Sequence, residues 1–523
     1  MRMKRLAPLL ATAGLLATSL PLLAATQAAA APAPSDYQPQ RPSWHRCSPD
    51  QPAAYECATI KVPLDHQRPR GAAIDLAISR IKSQDQAKRH GVMLLNPGGP
   101  GGSGLDLPLM MDQAMPKEVR EQYDLIGFDP RGVGASSPIS CGLNDAEQDF
   151  QHPYRPETFA SDVAWARTVA DKCREKAGSV LPYITTRNTA RDMDAIRSAL
   201  GERKISYLGY SYGTYLGAVY TQMFPSRTDR FVLDSGVDPQ RLWRGMIQAW
   251  ATEAEPAFAR WTRWTAERDG EYRLGATPEA VSAAFWGLVA RADREPVEFQ
   301  GTKLTGADIR KLRPLFFYPQ QAAPLVAAIK AASEGAPQPA GLAVPDVKKA
   351  LRGSAEPASD NGTAVLWSVL CGDTGSWPRD PGQYARDAAR DKARYPLYGD
   401  MASNITPCAF WQRPAEAATP MKTRADVLTV QNEWDSQTPL VSGQGLHRAL
   451  KGSRMVLAMG GEGHGVYLAD PNSCANAPVN SYLATGRLPA RDVTCQAAPA
   501  PAQRQDASPT PKPLPLPAGP LRF

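Results

Sequence analysis

The residues best suited to chemistry lie between Lys204 and Tyr220, where the sequence reads KISYLGYSYGTYLGAVY. A strand-like run leads into the glycine-flanked serine Ser211, and a helix-compatible run with small residues follows it. This Gly-x-Ser-x-Gly pattern is typical of a nucleophile on a sharp strand-to-helix turn, where side chains at the two glycine positions would collide with their neighbours. Ser211 is therefore the predicted nucleophile.

A serine hydroxyl needs a base to take its proton and an acid to orient that base. On a scaffold with such a turn, the order along the chain is serine, acid, histidine. Two of the six histidines follow late strand-like runs, His447 and His464. His464 lies in a glycine-rich loop after the last run, and His447 lies in a helix-like context. We expect His464 to be the base, with His447 as the alternative.

The acid is expected on the loop after the preceding strand-like run, in QNEWDSQTP. Asp435 is the best candidate, because turn residues that end the strand follow it. Glu433 in the same loop and Asp234 after an earlier run also keep the required order. Both remain open as alternatives.

A glycine-rich stretch, NPGGPGGSG from Asn96, follows another strand-like run. It lacks the Gly-Lys-Ser/Thr ending of a phosphate-binding loop and the glycine spacing of a dinucleotide fold. In a hydrolase such a loop lets backbone N–H groups approach a developing oxyanion, together with the N–H of the residue after the nucleophile. We expect Gly99 and Tyr212 to be those two donors, with an ordinary turn as the alternative.

The elements that must position these residues are short apolar runs alternating with helical patterns, which indicates an α/β protein with a mostly parallel sheet. The predicted strands are Tyr55–Leu64, Ile74–Lys82, Val92–Leu95, Asp124–Phe128, Ile205–Leu208, Phe231–Leu233, Val427–Val430 and Met455–Ala458.

Between the sixth and seventh runs lies an insertion that reads as helical, for example at Glu253–Glu267 and Pro278–Arg291. It holds eight of the eleven tryptophans. Those rings could pack a helical core or line a substrate cavity, and the sequence leaves both open. The expected division is a signal peptide (1–30), a first core part (31–240), a helical cap (241–420), a second core part (421–495) and a Pro-rich disordered tail (496–523).

The N-terminal sequence and the cysteines indicate export. Arg2, Lys4 and Arg5 precede an apolar stretch and the alanines at 28–31, which is the layout of a signal peptide. Three charges of the formal net +7 therefore belong to that segment, and without a Lys/Arg run the sequence predicts no nucleic-acid partner. No later segment is apolar enough to predict membrane insertion after signal removal.

Eight cysteines fall into local couples, as expected in an oxidising compartment. The expected disulfides are Cys47–Cys57, Cys141–Cys173, Cys371–Cys408 and Cys474–Cys495. No zinc-ligand spacing is present, so neither a metal nor another cofactor is expected.

Beyond single motifs, the chain resembles the secreted tripeptidyl aminopeptidases of the α/β-hydrolase fold, relatives of prolyl iminopeptidases. The resemblance runs from about Trp44 to Cys495. Besides the serine turn and the segments of Asp435 and His464, its matching pieces are LLNPGGPGGSG, YDLIGFDPRGVGASSPISC, TTRNTARDMDAIRSALGE and LATGRLPARDVTC. It implies a mostly parallel central sheet with an inserted helical cap, and a catalytic triad of Ser211, Asp435 and His464.

The resemblance further implies a secreted serine exopeptidase that releases tripeptides from peptides or proteins with a free N-terminus. Such an enzyme must bind an α-ammonium through carboxylates. The candidates are Glu253, Glu255 and Asp373. A prolyl-type aminopeptidase or an esterase on the same scaffold is the alternative. A non-catalytic exported binding protein, held at the cell surface by its Pro-rich tail, is a more remote one.

Overall fold

A computed structural model describes residues 40–338, 341–352 and 359–498. The expected signal peptide and nearly all of the expected Pro-rich tail lie outside these residues. Gln496, where the tail was expected to begin, is instead the last residue of a strand, Val493–Gln496.

The elements follow one another as the alternating pattern predicts. The strands are β1 (His45–Arg46), β2 (Glu56–Pro63), β3 (Ala73–Ile81), β4 (Gly91–Asn96), β5 (Tyr123–Phe128), β6 (Ile205–Tyr210), β7 (Thr228–Asp234), β8 (Val297–Phe299), β9 (Thr302–Leu304), β10 (Leu428–Trp434), β11 (Arg454–Glu462) and β12 (Val493–Gln496). All eight predicted strands are confirmed. The four that the sequence did not predict are two to four residues long, too short for a periodic pattern.

The helices before the insertion are α1 (Leu107–Ala114), α2 (Lys117–Arg120), α3 (Asp145–Gln148), α4 (Phe159–Ala177), α5 (Thr186–Ala199) and α6 (Tyr212–Met223). Those of the insertion are α7 (Arg244–Ala266), α8 (Asp269–Tyr272), α9 (Pro278–Arg294), α10 (Gly306–Lys311), α11 (Pro319–Ser333), α12 (Val347–Arg352), α13 (Asn361–Gly372), α14 (Pro381–Arg394) and α15 (Gly399–Ala402). After it come α16 (Leu440–Ala449) and α17 (Asn476–Thr485). Short 3-10 helices lie at Leu181–Tyr183, Pro225–Arg227, Arg313–Phe317 and Pro407–Ala409.

One large sheet has the strand order β1-β2-β3-β5-β4-β6-β7-β10-β11-β12. The pairs from β1 to β5 along this order are antiparallel, and the pairs from β5 to β12 are parallel. Parallel neighbours need crossover connections, which the helices supply. The mostly parallel α/β sheet expected from the sequence is confirmed.

Both faces of the parallel strands are covered by apolar side chains, which explains why they read as continuous apolar runs. On one face, a large cluster joins side chains of α5 and α6 to those of α13. On the other face, a second cluster joins side chains of α1 and α17 to the strands. The ends of the parallel strands are therefore held in fixed positions from both sides.

The insertion between β7 and β10 is mainly helical and has an apolar cluster of its own, centred on α7, α9 and α11. Six of its eight tryptophans are buried, and all six pack in the apolar clusters. They are Trp243, Trp250, Trp261, Trp367, Trp377 and Trp411. The structure thus favours core packing over cavity lining for most of these rings.

Four disulfides, Cys47–Cys57, Cys141–Cys173, Cys371–Cys408 and Cys474–Cys495, confirm the expected local pairing. The last one fastens the edge strand β12 to the chain before α17. In the part of the chain that the structure describes, no helix has the length and apolarity that crossing a bilayer requires.

Helix α6 approaches the sheet closely because Gly217 has no side chain. A Cβ at this position would lie 2.6 Å from Leu233 Cδ2 and 2.7 Å from Tyr207 Cε1. We expect Gly217→Ala to lower the free energy of unfolding in urea by about 1–3 kcal/mol, because the methyl group overpacks the contact.

The matched control is Gly287→Ala in α9, where an added Cβ meets no atom within 4 Å. It should raise the free energy of unfolding by up to about 1 kcal/mol through helix propensity alone. Equal stability of the two variants would contradict the close packing of α6.

Candidate active site

Ser211 lies between the end of β6 and the start of α6, with φ 57° and ψ −126°. This is a strained conformation for a residue with a side chain, and such strain is typical of functional sites. The flanking glycines are required, since a Cβ on Gly209 would lie 2.6 Å from the Tyr207 hydroxyl oxygen and one on Gly213 2.7 Å from Asn96 Oδ1. The turn holds the Ser211 side chain beyond the carboxyl end of its strand.

The glycine-rich loop after β4 lies against this turn. Gly98 has φ +98°, and a Cβ there would lie 2.5 Å from the Tyr210 carbonyl oxygen and 2.8 Å from Ser211 Cβ. Gly99 follows it directly. Tyr212 is the first residue of α6, and the N–H groups of a helix's first turn have no acceptor within the helix. Both expected oxyanion donors thus belong to segments in contact at Ser211.

Asp435 follows the last residue of β10 and is fully buried. Its carboxylate accepts hydrogen bonds from the backbone N–H groups of Gln437 (2.8 Å) and Thr438 (2.9 Å), and from Thr438 Oγ1 (2.9 Å). Burial raises the pKa of Asp435, but the His464 imidazole and these backbone donors outweigh it, so its pKa lies below the ordinary 3.8. Asp435 is therefore held as a carboxylate.

His464 lies in the loop that follows β11. Its Nδ1 is 2.9 Å from Asp435 Oδ1 and 3.0 Å from Oδ2. Burial lowers the pKa of His464, but the carboxylates of Asp435 and Asp234 outweigh it, so its pKa lies above the ordinary 6.5. A carboxylate on Nδ1 leaves Nε2 as the nitrogen that can accept a proton.

The Ser211 hydroxyl is buried and makes no hydrogen bond to any residue that the structure describes. It is therefore free to meet a base or a substrate carbonyl. In sites of this kind the contact between nucleophile and base often tightens only when a substrate binds.

The alternative candidates have other partners. Glu433 accepts a hydrogen bond from the Gly460 N–H. His447 is bonded to Ser453 Oγ and to Asp492, at the far end of the strands. Asp234 accepts hydrogen bonds from backbone N–H groups of the loop after His464. Only Asp435 of the three acids contacts the imidazole within the described part of the chain.

Two buried residues of the insertion hold the loop of Asp435, and the sequence did not indicate either. Arg313 donates to the Ser436 carbonyl (2.8 Å), and the Trp250 indole N–H donates to the Gln437 carbonyl (2.5 Å). The Arg313 guanidinium also lies 4.9 Å from the ring centre of Tyr398, and burial lowers its pKa to about 10.

The insertion also contacts the loop of His464. The Tyr318 hydroxyl accepts a hydrogen bond from the His464 N–H (3.3 Å). Arg260 is ion-paired with Glu462, and Gln320 donates to the same carboxylate (3.0 Å). No local sequence motif predicts these contacts, because each joins segments more than a hundred residues apart.

The three expected amine-binding acids differ in their surroundings. Asp373 is buried and accepts hydrogen bonds from the N–H and hydroxyl of Thr186. Glu255 accepts one from the Leu397 N–H. Glu253 has no hydrogen-bond partner among the residues described. Burial raises the pKa of its carboxyl group, and the charge of Arg241 opposes that rise.

Comparison with known proteins identifies relatives over most of the chain. A family model of TAP-like proteins matches residues 395–495, and a model of the alpha/beta hydrolase fold matches residues 91–296. The tripeptidyl aminopeptidase of Streptomyces lividans is 36% identical over 474 residues, which cover 86% of each chain.

Two further relatives come from Mycobacterium tuberculosis (strain ATCC 25618 / H37Rv). The serine protease Hip1 is 30% identical over 469 residues, with 85% of this chain and 88% of the relative covered. Carboxylesterase B is 30% identical over 529 residues, with 94% and 99% covered. Together with the fold and the strained serine turn, these matches show that the chain is a serine hydrolase that belongs to the tripeptidyl aminopeptidase family of the α/β-hydrolase fold.

Proposed function

We propose that this chain is a serine exopeptidase that hydrolyses peptide bonds near a free N-terminus and releases tripeptides through an acyl-enzyme on Ser211. The observation that carries the proposal is the contact between His464 Nδ1 and Asp435, together with the hydrogen bond from the Tyr210 hydroxyl to the Tyr467 carbonyl, which links the loop of His464 to the turn of Ser211. The relationship to a tripeptidyl aminopeptidase supports the peptide substrate.

In the proposed mechanism, Ser211 Oγ attacks the scissile carbonyl carbon while His464 Nε2 takes its proton. The N–H groups of Gly99 and Tyr212 stabilise the negative charge on the carbonyl oxygen. The protonated His464 then gives its proton to the leaving amine, and the C–N bond breaks. Water, deprotonated by His464, releases the acyl group and restores the Ser211 hydroxyl. Throughout, Asp435 holds the imidazole and stabilises its positive charge.

For the free N-terminus we propose Glu253 as the anchor, because Glu255 lies on another face of α7 and accepts the Leu397 N–H, and the buried Asp373 accepts the N–H and hydroxyl of Thr186. Glu253 lies three residues after Trp250 on α7, so the two share a helix face about 4.5 Å apart along the axis. Trp250 contacts the loop of Asp435. A carboxylate on that face, without a hydrogen-bond partner in the described chain, suits an ammonium group.

Export is part of the proposal. The charged and apolar N-terminal sequence supports a cleaved signal peptide, and four disulfides suit an oxidising compartment outside the cytoplasm. The proposal includes retention at the cell surface through the Pro-rich tail, and fractionation of a tail deletion tests it.

An esterase is the second candidate function, because carboxylesterase B is a relative over nearly the full chain. A prolyl-type aminopeptidase would use the same machinery. The triad chemistry does not separate these activities, since specificity belongs to the surroundings of the site.

The role of Ser211 is tested by Ser211→Ala. We expect loss of turnover by about three orders of magnitude or more and loss of labelling by a fluorophosphonate, because the attacking oxygen is gone. Ser206→Ala, which changes a buried serine of β6, the strand that leads to Ser211, is the control and should keep both. Undiminished turnover in Ser211→Ala would refute the proposal.

The pH dependence follows from the raised pKa of His464. Protonated imidazole cannot accept the Ser211 proton, so kcat/KM should fall as the pH drops, with a midpoint above 6.5. In Asp435→Asn, burial of His464 dominates and that midpoint should move below 6.5, with kcat lower by about three to four orders of magnitude. Glu433→Gln is the control, and a larger effect there than in Asp435→Asn would reassign the acid.

Substrate specificity is tested with mono-, di- and tripeptide amides, each with a free and a blocked N-terminus, and with a simple ester. Tripeptide amides with a free N-terminus should be cleaved fastest. Glu253→Gln should raise KM for these substrates about tenfold or more, since a charged hydrogen bond is lost, and leave KM for the blocked peptide amides unchanged. The exposed Glu279→Gln in α9 is the control. Faster cleavage of blocked peptides or of the ester would favour an esterase or an endopeptidase.

A further inference from the structure

A second buried carboxylate, Asp234, lies beside the loop of His464. It is the last residue of β7, between the strand that leads to the nucleophile and the strand that leads to the acid. Its register partners are Tyr210 on β6 and Val430 on β10. The side chain is fully buried.

The Asp234 side chain holds the backbone that follows His464. Its carboxylate accepts hydrogen bonds from the N–H groups of Val466 (3.0 Å) and Tyr467 (2.7 Å). It also accepts one from Ser235 Oγ (2.9 Å), and Ser235 Oγ in turn accepts one from the Gly465 N–H (2.9 Å). Three consecutive N–H groups are therefore bound through Asp234 and its neighbour.

The same residue also holds the nucleophile. The carbonyl oxygen of Asp234 accepts a hydrogen bond from the Ser211 N–H (2.9 Å). A parallel link runs from the Tyr210 hydroxyl to the Tyr467 carbonyl (3.0 Å). The backbone of Ser211 and the loop of His464 are thus fastened to a single residue, so a shift of Asp234 would move both.

The charge of Asp234 has one cationic neighbour. Within the residues described, no lysine or arginine is paired with it, and the charged group that acts on it is His464. Every hydrogen-bond partner of the Asp234 side chain is a donor. An ionised carboxylate can accept all of these hydrogen bonds, whereas a protonated carboxyl group has one oxygen that carries a proton and accepts less well. Burial raises the pKa of Asp234 to about 7, so protonation near neutral pH would weaken these contacts.

We propose that Asp234 is a positioning residue that sets the distance between Ser211 and His464 and adds a second negative charge beside the imidazolium formed during catalysis. This inference rests on the proposed triad. The titratable groups that face His464 are Asp435 from the loop after β10, Asp234 from β7 and the Tyr318 hydroxyl from the insertion. Removal of the Asp234 charge should therefore lower the pKa of His464.

The test is Asp234→Asn, which keeps the shape but turns an amide NH₂ toward the backbone donors. The readout is the rate at which a fluorophosphonate labels Ser211, measured from pH 5 to 9, with kcat and KM for the best peptide alongside. We expect labelling at the optimum to fall about 10- to 100-fold, because small misplacements cost such factors. KM should change little, and the acidic midpoint should drop by about half a pH unit or more.

The matched control is Asp360→Asn. Asp360 is also buried, and it accepts one hydroxyl, that of Ser140, and two backbone donors, the N–H groups of Cys141 and Leu143. The Asp360→Asn variant should lose about as much free energy of unfolding in urea as Asp234→Asn does. Its labelling rate should stay within about threefold of the wild type, and the acidic midpoint of labelling should not move. If Asp234 only stabilised the fold, Asp234→Asn would behave like this control, and that result would overturn the inference.

Ser235→Ala covers the case in which Asp234→Asn does not fold. It keeps the carboxylate and frees the Gly465 N–H, so labelling should slow several-fold with an unmoved midpoint, and a wild-type rate would overturn the inference. Wild-type protein that is not labelled on Ser211 would refute the proposed function instead. The two failures are therefore distinguishable.

Discussion

The parallel pairing of β7 with β10 is the contact on which the site depends, because it joins two halves of the sheet that the whole insertion separates in sequence. Its register sets Leu428 beside Val232 and Val430 beside Asp234. Closing a loop of that length costs conformational entropy, which the burial of both strand faces in apolar clusters offsets. Once this pair has formed, Ser211, Asp435 and His464 all follow the carboxyl ends of parallel strands of one sheet.

Several charged groups are buried near the carboxyl ends of these strands. Burial of a charge costs free energy unless the group has hydrogen-bond or ionic partners. Asp435 has the imidazole and two backbone donors, and Asp234 has backbone and hydroxyl donors. Arg313 has a carbonyl acceptor and two aromatic rings, those of Trp250 and Tyr398. Because Arg313 and Tyr318 belong to the insertion, the segment between β7 and β10 helps to hold the loops of Asp435 and His464. A substitution in that segment that changes specificity must therefore also preserve these contacts.

Much of the fold and of the site could be predicted from the sequence, because the signals were local. The glycines beside Ser211, the glycine-rich loop of His464 and the apolar runs each lie within a few residues. The contacts of Arg313, Trp250 and Tyr318 could not be predicted, since they join distant segments and depend on how helices pack. The sequence also offered Asp234 as an alternative acid. Its position at a strand end was visible, but only the register of β6, β7 and β10 shows that its carboxylate meets the backbone of the histidine loop.

The disulfides connect cysteines that are consecutive along the chain, and no bridge encloses another. Each bond can therefore form as soon as its second cysteine emerges during synthesis, and the correct partner is always the most recent unpaired thiol. In an oxidising compartment, pairing in chain order therefore reaches the native set of bridges without breaking any bridge on the way.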